Sequence, residues 1–238
     1  MEHLLEELAL YFAESSHCLA LTGSGGKTTA MVKLAKQYAR QGMRVLVSTT
    51  TKLWLPKDQE YGCDTYFLDD RALSYHPAQG ERVFYTHREH KCVAPPLENL
   101  EALLDRYDVV LLEADGSMNL GLKLHEERDP VIPSFVTGTL ALVSMNLLGK
   151  PFSENCFGSE HYTQDFPEEI ITVATYRKLL EHTQGILKRV QGTSLVLCNQ
   201  SREEDIGLYR NLSCPTSQPY PIWFGDLHTD QLIYRNPS

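Results

Sequence analysis

A glycine-rich segment followed by a lysine and two threonines is the part of this sequence best suited to binding phosphate. It reads Thr22-Gly23-Ser24-Gly25-Gly26-Lys27-Thr28-Thr29 and lies between an apolar run and a helical pattern. A turn of this kind directs several backbone N–H groups and the positive end of a helix dipole at one point, which favours an anion. Glycines let a phosphate approach the backbone closely. The segment is therefore predicted to be a phosphate-binding loop.

The residues after the last glycine define the expected ligand. Lys27 is placed to reach the β- and γ-phosphates and to assist catalysis, and the Thr28 hydroxyl to ligate an accompanying Mg²⁺ ion. Thr29 is expected to support the first helical turn. The standard spacing would require glycine where this chain has Leu21, so the segment matches the shortened form G-x-G-G-K-T-T. We predict a nucleoside triphosphate, ATP or GTP, bound with Mg²⁺.

A second group of chemically capable residues follows the apolar run Val109 to Leu112. Glu113 emerges directly from this predicted strand, as expected for the acid that meets Mg²⁺ in phosphate-loop proteins. Asp115 lies on the same strand face as Glu113 if the strand continues, and we assign it to positioning water or a substrate group. The backbone N–H of Gly116 is placed to sense the γ-phosphate.

Further candidates lie at other strand ends and in one loop. The segment Thr49-Thr50-Thr51-Lys52 ends the strand expected beside the phosphate-loop strand, and its hydroxyls and ammonium suit phosphate or Mg²⁺-bound water. Thr51 is assigned to ligand binding and Lys52 to catalysis. Lys123 and His125 lie in a predicted loop from the ligand edge and are candidate substrate contacts.

Asn199 ends a late strand, Ser194 to Cys198, at the position where many phosphate-loop proteins read the base. The guanine-reading pattern Asn-Lys-x-Asp is half present, since Gln200 replaces the lysine and Arg202 the aspartate. Without that aspartate, ATP is expected to bind at least as well as GTP.

The elements that must position these residues alternate between strand and helix. The periodicity predicts an opening helix over residues 2–15, a βαβ unit over 18–48, a helix from Pro95-Pro96 to near Tyr107, and a helix over Val173 to His182. Residues 55–96 are predicted to be an irregular insertion, with an edge hairpin from Thr65 to Leu68 and Arg82 to Tyr85. We therefore predict an α/β fold with a doubly wound, mostly parallel sheet, a phosphate-loop NTPase-like three-layer architecture, and one domain over residues 1–238.

Composition restricts the partners. A net charge of −9 disfavours a nucleic-acid partner, and no apolar run is long enough to cross a membrane. The N-terminal residues lack the features of a secretory signal, so a cytoplasmic location is expected. Six cysteines are scattered without C-x-x-C pairs and are expected to be reduced thiols: Cys18, Cys63, Cys92, Cys156, Cys198 and Cys214.

The order of these motifs resembles the YqeC family. The resemblance rests on G-S-G-G-K-T-T, T-T-T-K, E-A-D-G-S and a later L-K followed by P-V-I-P, and it runs from about Leu21 to Gln200. The family implies a phosphate-loop NTPase fold and an accessory role in maturing a selenium-dependent molybdenum hydroxylase, with that enzyme or a cofactor-maturation protein as the client. This sequence departs from the family pattern at Gly121, where proline is expected, and at Arg128-Asp129-Pro130, where His-Glu-Pro is expected.

Three functions are compatible with these residues. The first is an accessory NTPase whose nucleotide state orders loops that hold a client enzyme or cofactor. The second is a small-molecule kinase or ligase that acts on a cofactor precursor through the Thr49 to Lys52 edge and Lys123. The third is a scaffold that binds nucleotide without hydrolysing it.

Overall fold

A large, mostly parallel β-sheet forms the centre of the molecule. The computed structural model describes residues 2–15, 17–167, 169–212 and 220–236. In chain order its strands are β1 (Glu2–His3), β2 (Cys18–Gly23), β3 (Val45–Thr49), β4 (Lys52–Leu53), β5 (Thr65–Phe67), β6 (Arg82–Tyr85), β7 (His87–Arg88), β8 (Cys92–Val93), β9 (Val109–Glu113), β10 (Leu122–Lys123), β11 (Gly138–Ser144), β12 (Cys156–Phe157), β13 (Thr193–Asn199), β14 (Ile222–Asp226) and β15 (Gln231–Arg235). The helices are α1 (Leu4–Ala13), α2 (Lys27–Arg40), α3 (Leu97–Glu101), α4 (Phe152–Asn155), α5 (Val173–Glu181) and α6 (Ile206–Leu212).

The main sheet has the strand order β1-β15-β14-β13-β11-β2-β9-β3-β6-β5. Every pairing from β14 to β5 is parallel, and β15 and β1 add antiparallel strands at one edge. The strand that leads into the phosphate loop, β2, lies between β9 and β11. Glu113 at the end of β9 is paired in register with Leu21 on one side and Thr49 on the other. The carboxyl ends of the central strands therefore meet at one edge.

Side chains from both faces of the sheet are buried. Leu19 and Leu21 of β2 belong to a core shared with α1 and α2, whereas Ala20 between them belongs to a core that contains Leu100 of α3. A third core joins β11 and β13 to α5 and α6. Because strand residues alternate between faces, a strand buried on both sides must be apolar throughout, which explains the continuous apolar runs.

The α/β class and the mostly parallel sheet agree with the sequence-based prediction. The opening helix is observed as α1, the βαβ unit as β2, α2 and β3, and the predicted helix over Val173 to His182 as α5. The helix expected from Pro95-Pro96 to Tyr107 is shorter, since α3 ends at Glu101 and a 3₁₀ turn covers Leu104–Arg106. Strand β14, which pairs in parallel with β13, and the antiparallel edge strand β15 were not predicted.

The hairpin expected within residues 55–96 is wrong. Thr65–Phe67 and Arg82–Tyr85 pair with each other in parallel and extend the main sheet beyond β3. A separate antiparallel sheet is formed by β4, β8 and β7. The error has a physical cause: the connection from β5 to β6, which includes the 3₁₀ turn Asp70–Ser74, is long enough for a parallel crossover.

An ion pair at the start of β5 and β6 provides a test of this pairing. Arg82 donates to Asp64 from its backbone N at 2.9 Å, from Nε at 3.0 Å and from a terminal guanidinium nitrogen at 2.7 Å. These hydrogen bonds hold the pKa of Asp64 below its ordinary value of 3.8, against the opposing effect of burial. Asp64→Asn is expected to lower the free energy of unfolding by about 0.5 kcal/mol at neutral pH, since the pair is partly exposed.

The effect of Asp64→Asn should depend on pH. A carboxylate with a depressed pKa in the folded state contributes stability above its unfolded pKa, and this contribution is lost as the pH falls. The difference in the free energy of unfolding between the wild type and Asp64→Asn should therefore disappear as the pH drops below 3.8. Urea denaturation at neutral and strongly acidic pH measures both values, with the exposed Asp58→Asn as the control. An equal loss at both pH values would contradict the expected role of this pair.

Two expectations from composition can be compared with the structure. None of the helices in the described residues is long and apolar enough to cross a membrane. Free thiols are found at Cys18, Cys63, Cys92, Cys156 and Cys198, while Cys214 lies outside the described residues. Burial raises the pKa of the Cys18 thiol to about 12, so this thiol is protonated and unreactive at neutral pH.

Candidate functional site

The glycine-rich loop packs tightly against the ends of the neighbouring strands. The backbone N–H of Ser24 donates to the Leu142 carbonyl at 2.9 Å. Gly25 has a φ of +83°, and a Cβ atom there would lie 2.6 Å from the backbone nitrogen of Ser144. Gly26 has a φ of +129°, a conformation that L-residues rarely adopt. The loop path therefore requires glycine at these two positions.

Lys27 begins α2 and points back over the loop. Its Nζ donates to the Gly23 carbonyl at 2.6 Å and to the Ser117 hydroxyl at 3.4 Å, and it lies 3.0 Å from a carboxylate oxygen of Asp115. Only 5% of the residue is exposed. Burial opposes the charged form, but Asp115 and Glu113 outweigh it and raise the pKa of Lys27. Lys27 is therefore a fixed cation at the floor of the loop.

The two residues predicted to ligate Mg²⁺ are in contact. The Thr28 hydroxyl donates to a Glu113 carboxylate oxygen at 3.2 Å, although the residues are far apart in sequence. The main cause of a raised pKa at Glu113 is burial, which Asp115 reinforces and Lys27 opposes. A divalent cation would compensate this buried charge. A hydroxyl with a carboxylate is also an oxygen donor set that Mg²⁺ accepts.

Asp115 is completely buried in a network of donors. One carboxylate oxygen accepts the backbone N–H of Gly23 at 2.7 Å and contacts Nε2 of His125 at 2.8 Å. The Nζ atoms of Lys27 and Lys123 lie 3.0 Å and 3.5 Å from the carboxylate. Burial acts to raise the pKa of Asp115, but the two lysines and His125 outweigh it and hold the pKa far below its ordinary value.

His125 and Lys123 are also buried and do not face solvent. Nδ1 of His125 contacts the Gly185 carbonyl at 2.8 Å, and its Nε2 contacts Asp115. Both ring nitrogens of His125 are therefore engaged within the protein. Lys123 donates to the Gly116 carbonyl and forms an ion pair with Asp129. The structure thus places Lys123 and His125 behind the ligand edge, within the supporting network.

Asp115, His125 and Asp129 are close enough together to hold a metal ion, with ligand atoms within 4.8 Å of one another. Their environment does not fit one. The Lys123 ammonium already pairs with both carboxylates, and His125 uses its second nitrogen on Gly185. A metal ion here would be repelled by the ammonium. The cluster is an internal ion-pair and hydrogen-bond network, and the metal ligands predicted from the sequence are Thr28 and Glu113.

Of the four residues at the end of β3, two form hydrogen bonds within the protein and two line the ligand edge. The Thr49 hydroxyl donates to the Glu113 carbonyl at 2.8 Å, and the Thr50 hydroxyl donates to the Val131 carbonyl at 2.6 Å. These two hydroxyls are used within the protein. Thr51 and Lys52 line a cleft beside the glycine-rich loop, and Lys52 is exposed. Of the four residues, Thr51 and Lys52 are therefore available to a ligand.

Asn199 holds the loop from the other side. Its side-chain nitrogen donates to the Gly25 carbonyl at 2.7 Å, and its oxygen accepts the backbone N–H of Leu227 at 2.9 Å. Only 4% of the residue is exposed. The amide thus connects the loop to the turn after β14. Its use in reading a base stays a prediction.

The cleft has a volume of about 1690 Å³ and opens at the carboxyl edge of the sheet. The loop residues 25–29, Glu113 and Gly116 line its floor. Five lysines line it, namely Lys27, Lys33, Lys52, Lys91 and Lys150. The acidic residues among the lining residues are Glu60, Glu113 and Asp226. In a chain with a net charge of −9, this local excess of lysine favours an anionic ligand.

Sequence reasoning missed several residues of the site and its support. Asp129 is the ion-pair partner of Lys123, and Ser117 contacts Lys27. Trp54 and Lys91 line the cleft from the small antiparallel sheet. A signal existed for Trp54, which closely follows Thr51-Lys52 in sequence. No local signal pairs Lys123 with Asp129, because that contact depends on the path of the loop.

The structure thus defines an α/β protein with a glycine-rich loop and a lysine-lined cleft at the carboxyl edge of its sheet. The YqeC protein family matches residues 19–160, which include the loop, Glu113, Asp115 and Lys123. The chain is similar to the protein described as uncharacterized protein YqeC from Escherichia coli (strain K12). The two are 28% identical over 233 residues, which cover 91% of this chain and 90% of that protein. The chain belongs to the YqeC family.

Proposed function

We propose that this protein is a phosphate-loop NTPase that binds a nucleoside triphosphate with Mg²⁺ and hydrolyses it. The observation that carries the proposal is the contact of Thr28 with Glu113 beside the glycine-rich loop. A hydroxyl from the loop helix and an acid from the adjacent strand end are the groups that hold Mg²⁺ in such proteins. The lysine-rich cleft gives independent support, because a triphosphate carries several negative charges.

Each residue has a task in this proposal. The backbone N–H groups of residues 23–28 bind the phosphates, and Lys27 exchanges its contact with the Gly23 carbonyl for phosphate oxygens. Thr28 and Glu113 would hold Mg²⁺, which would neutralise charge on the phosphates. Lys52, at the cleft edge, is placed to contact the transferred phosphate. Reaction with water requires no residue to form a covalent intermediate.

Asp115 supports this arrangement from below. It binds the Gly23 N–H and Lys27 together and is itself held by His125 and Lys123. Because the carboxylate is completely buried, we assign it first to orienting the loop and Lys27. Its sequence-based assignment to positioning water stays a prediction. Likewise, the engaged amide of Asn199 favours a loop-holding task over base recognition.

The metal assignment is tested by Glu113→Gln. The variant keeps the size and a hydrogen-bond acceptor for Thr28 but loses the charge that binds Mg²⁺. ATP affinity without Mg²⁺ is expected to stay unchanged, while the gain on adding Mg²⁺ is lost, a weakening of at least tenfold, about 1.4 kcal/mol. Calorimetric titration of ATP and GTP with and without Mg²⁺ measures this. ATP is expected to bind at least as well as GTP.

Glu60→Gln is the matched control, because Glu60 lines the same cleft and is exposed. Its Mg²⁺-dependent gain should equal that of the wild type. A Glu113→Gln variant that keeps the full gain would contradict the metal assignment. Single-turnover hydrolysis on the same samples separates an NTPase from a scaffold that binds nucleotide without turnover.

The cellular part of the proposal comes from the family resemblance. We propose an accessory role in the maturation of a selenium-dependent molybdenum hydroxylase in the cytoplasm, with nucleotide binding controlling a client interaction. Exposed residues Met118 and Asn119 lie in the loop directly after Gly116, which lines the cleft. A γ-phosphate contact there would change a surface that a client can touch. Capture of clients from native cells with and without a non-hydrolysable nucleotide tests this role.

The alternative of a small-molecule kinase or ligase is favoured by one observation. The cleft volume of about 1690 Å³ exceeds the 300–1,000 Å³ typical of a site for one small ligand. Formation of a phosphorylated or ligated small molecule without any protein client would distinguish this function from that of the accessory NTPase.

A further inference from the structure

An exposed tryptophan lies on one wall of the cleft, and the proposed phosphate chemistry does not use this side chain. Trp54 follows β4, and 51% of it is exposed although it lines a cleft. The chain has two tryptophans, and the other, Trp223, is 6% exposed within the core. Exposing a large indole in a concave site has a hydration cost that ligand binding would remove.

The position of Trp54 is fixed by its surroundings. The Tyr61 hydroxyl donates to the Trp54 carbonyl at 2.8 Å, and β4 pairs with β8 in the small antiparallel sheet. The backbone N–H of Ala94 donates to the Thr51 carbonyl at 3.1 Å. The wall is also connected to the phosphate site, since the Thr50 N–H donates to the Glu113 carbonyl at 3.0 Å. The backbone at Trp54 therefore has a defined place relative to Glu113.

The positively charged side chain of Lys91 lies next to the indole of Trp54. The Nζ of Lys91 lies 3.9 Å from the centroid of the Trp54 ring, and Lys52 lies two residues before it on the cleft edge. A ligand that stacks on the indole would thus bring an anionic substituent close to the Lys91 ammonium group. Met118, 80% exposed on the loop after Gly116, adds apolar surface to the same cleft.

We propose that this wall is a second ligand site for a planar conjugated molecule that carries a phosphate group. The ring stacks on Trp54, and the phosphate pairs with Lys91. The inference rests on the proposed function, in which the triphosphate occupies the glycine-rich loop and leaves this wall open. The second ligand then lies in the same cleft as Glu113 and Thr51.

Flavin mononucleotide is a suitable probe, because it combines a planar ring with one phosphate and its fluorescence is quenched when it stacks on tryptophan. Two titrations of the full chain are compared. One adds ATP and Mg²⁺ alone. The other adds flavin mononucleotide in the presence of saturating non-hydrolysable ATP and Mg²⁺. Riboflavin, which lacks the phosphate, and inorganic phosphate, which lacks the ring, are titrated in parallel.

Flavin mononucleotide is expected to bind to the nucleotide-loaded protein with quenched fluorescence, and at least tenfold more tightly than riboflavin or phosphate. Trp54→Ala and Lys91→Ala should each weaken flavin mononucleotide binding at least tenfold, and Trp54→Ala should leave ATP affinity unchanged. Trp54→Phe, which keeps an aromatic face, should retain most of the binding. Lys57→Ala, a change of an exposed lysine in the neighbouring segment, should have no effect.

Three results would overturn the second site. These results are that flavin mononucleotide does not bind the nucleotide-loaded protein, that it binds Trp54→Ala as well as the wild type, or that ATP displaces it. Loss of ATP affinity in Trp54→Ala would also overturn it, by making Trp54 part of the nucleotide site. Failure of the proposed function can be distinguished from failure of the second site, because the titration with ATP and Mg²⁺ would then show no Mg²⁺-dependent ATP binding.

Discussion

Replacing Lys27 with alanine is expected to weaken nucleoside triphosphate binding by at least tenfold, about 1.4 kcal/mol. Lys27 is the cation closest to the glycine-rich loop, and its Nζ is held over the loop by the Gly23 carbonyl and Asp115. It is buried, so its charge is weakly screened, and a phosphate that replaces the Gly23 carbonyl gains a strong charge-assisted contact. The loss should be larger for a triphosphate than for a monophosphate.

Calorimetric titration of ATP and AMP with Mg²⁺ measures this difference. Lys36→Ala is the matched control, because Lys36 is an exposed lysine on the same helix, α2. It should leave both affinities unchanged. Thermal unfolding establishes that the Lys27→Ala sample is folded. Unchanged ATP affinity in a folded Lys27→Ala protein would contradict the phosphate-loop assignment.

Asp115→Ala is expected to destabilise the protein by about 3–5 kcal/mol, the cost of breaking a buried ion pair on one side. The carboxylate is completely buried and contacts Lys27, Lys123 and His125. Its removal leaves the two lysines with Glu113 and Asp129 alone and leaves the Gly23 N–H without its acceptor. Asp115→Asn should cost less, because an amide oxygen can still accept that N–H.

Urea denaturation at neutral pH measures both losses, and the exposed Asp58→Ala is the control. The pH dependence has a defined sign. Burial acts to raise the pKa of Asp115, but Lys27, His125 and Lys123 outweigh it and depress that pKa. The stability that this carboxylate contributes is therefore present above pH 3.8, its ordinary pKa, and decreases as the pH falls. The difference in the free energy of unfolding between the wild type and Asp115→Asn should therefore decrease as the pH falls. A loss below about 0.5 kcal/mol for Asp115→Ala would contradict the role of this network, because surface substitutions have effects of that size.

The loop itself could be read from the sequence because its parts are contiguous. Strand β2, the glycines and the helix beginning at Lys27 follow one another without interruption, so local backbone preferences define their arrangement. The same holds for β9, whose apolar run must be buried and whose end must carry Glu113 to the sheet edge. Lys27, Thr28 and Glu113 were therefore predictable as residues of one edge.

Strand pairing across long separations was decided only by the tertiary structure. Parallel neighbours are joined through crossovers, so the sequence near β5 and β6 does not reveal that these strands extend the main sheet. The contact between Thr28 and Glu113 likewise requires β2 and β9 to be adjacent in this register.

The side-chain surroundings of loop residues also needed the folded chain. Lys123 and His125 have the residue types of ligand contacts, yet the loop turns them inward, where they contact Asp115 and Asp129. Trp54 has the residue type of a core side chain, yet the small antiparallel sheet holds it in the cleft. Sequence determined which chemical groups this edge of the sheet carries, because each follows its strand directly. Tertiary structure decided which of them face the cleft and which support it, because burial and ion pairing depend on segments far apart in the chain.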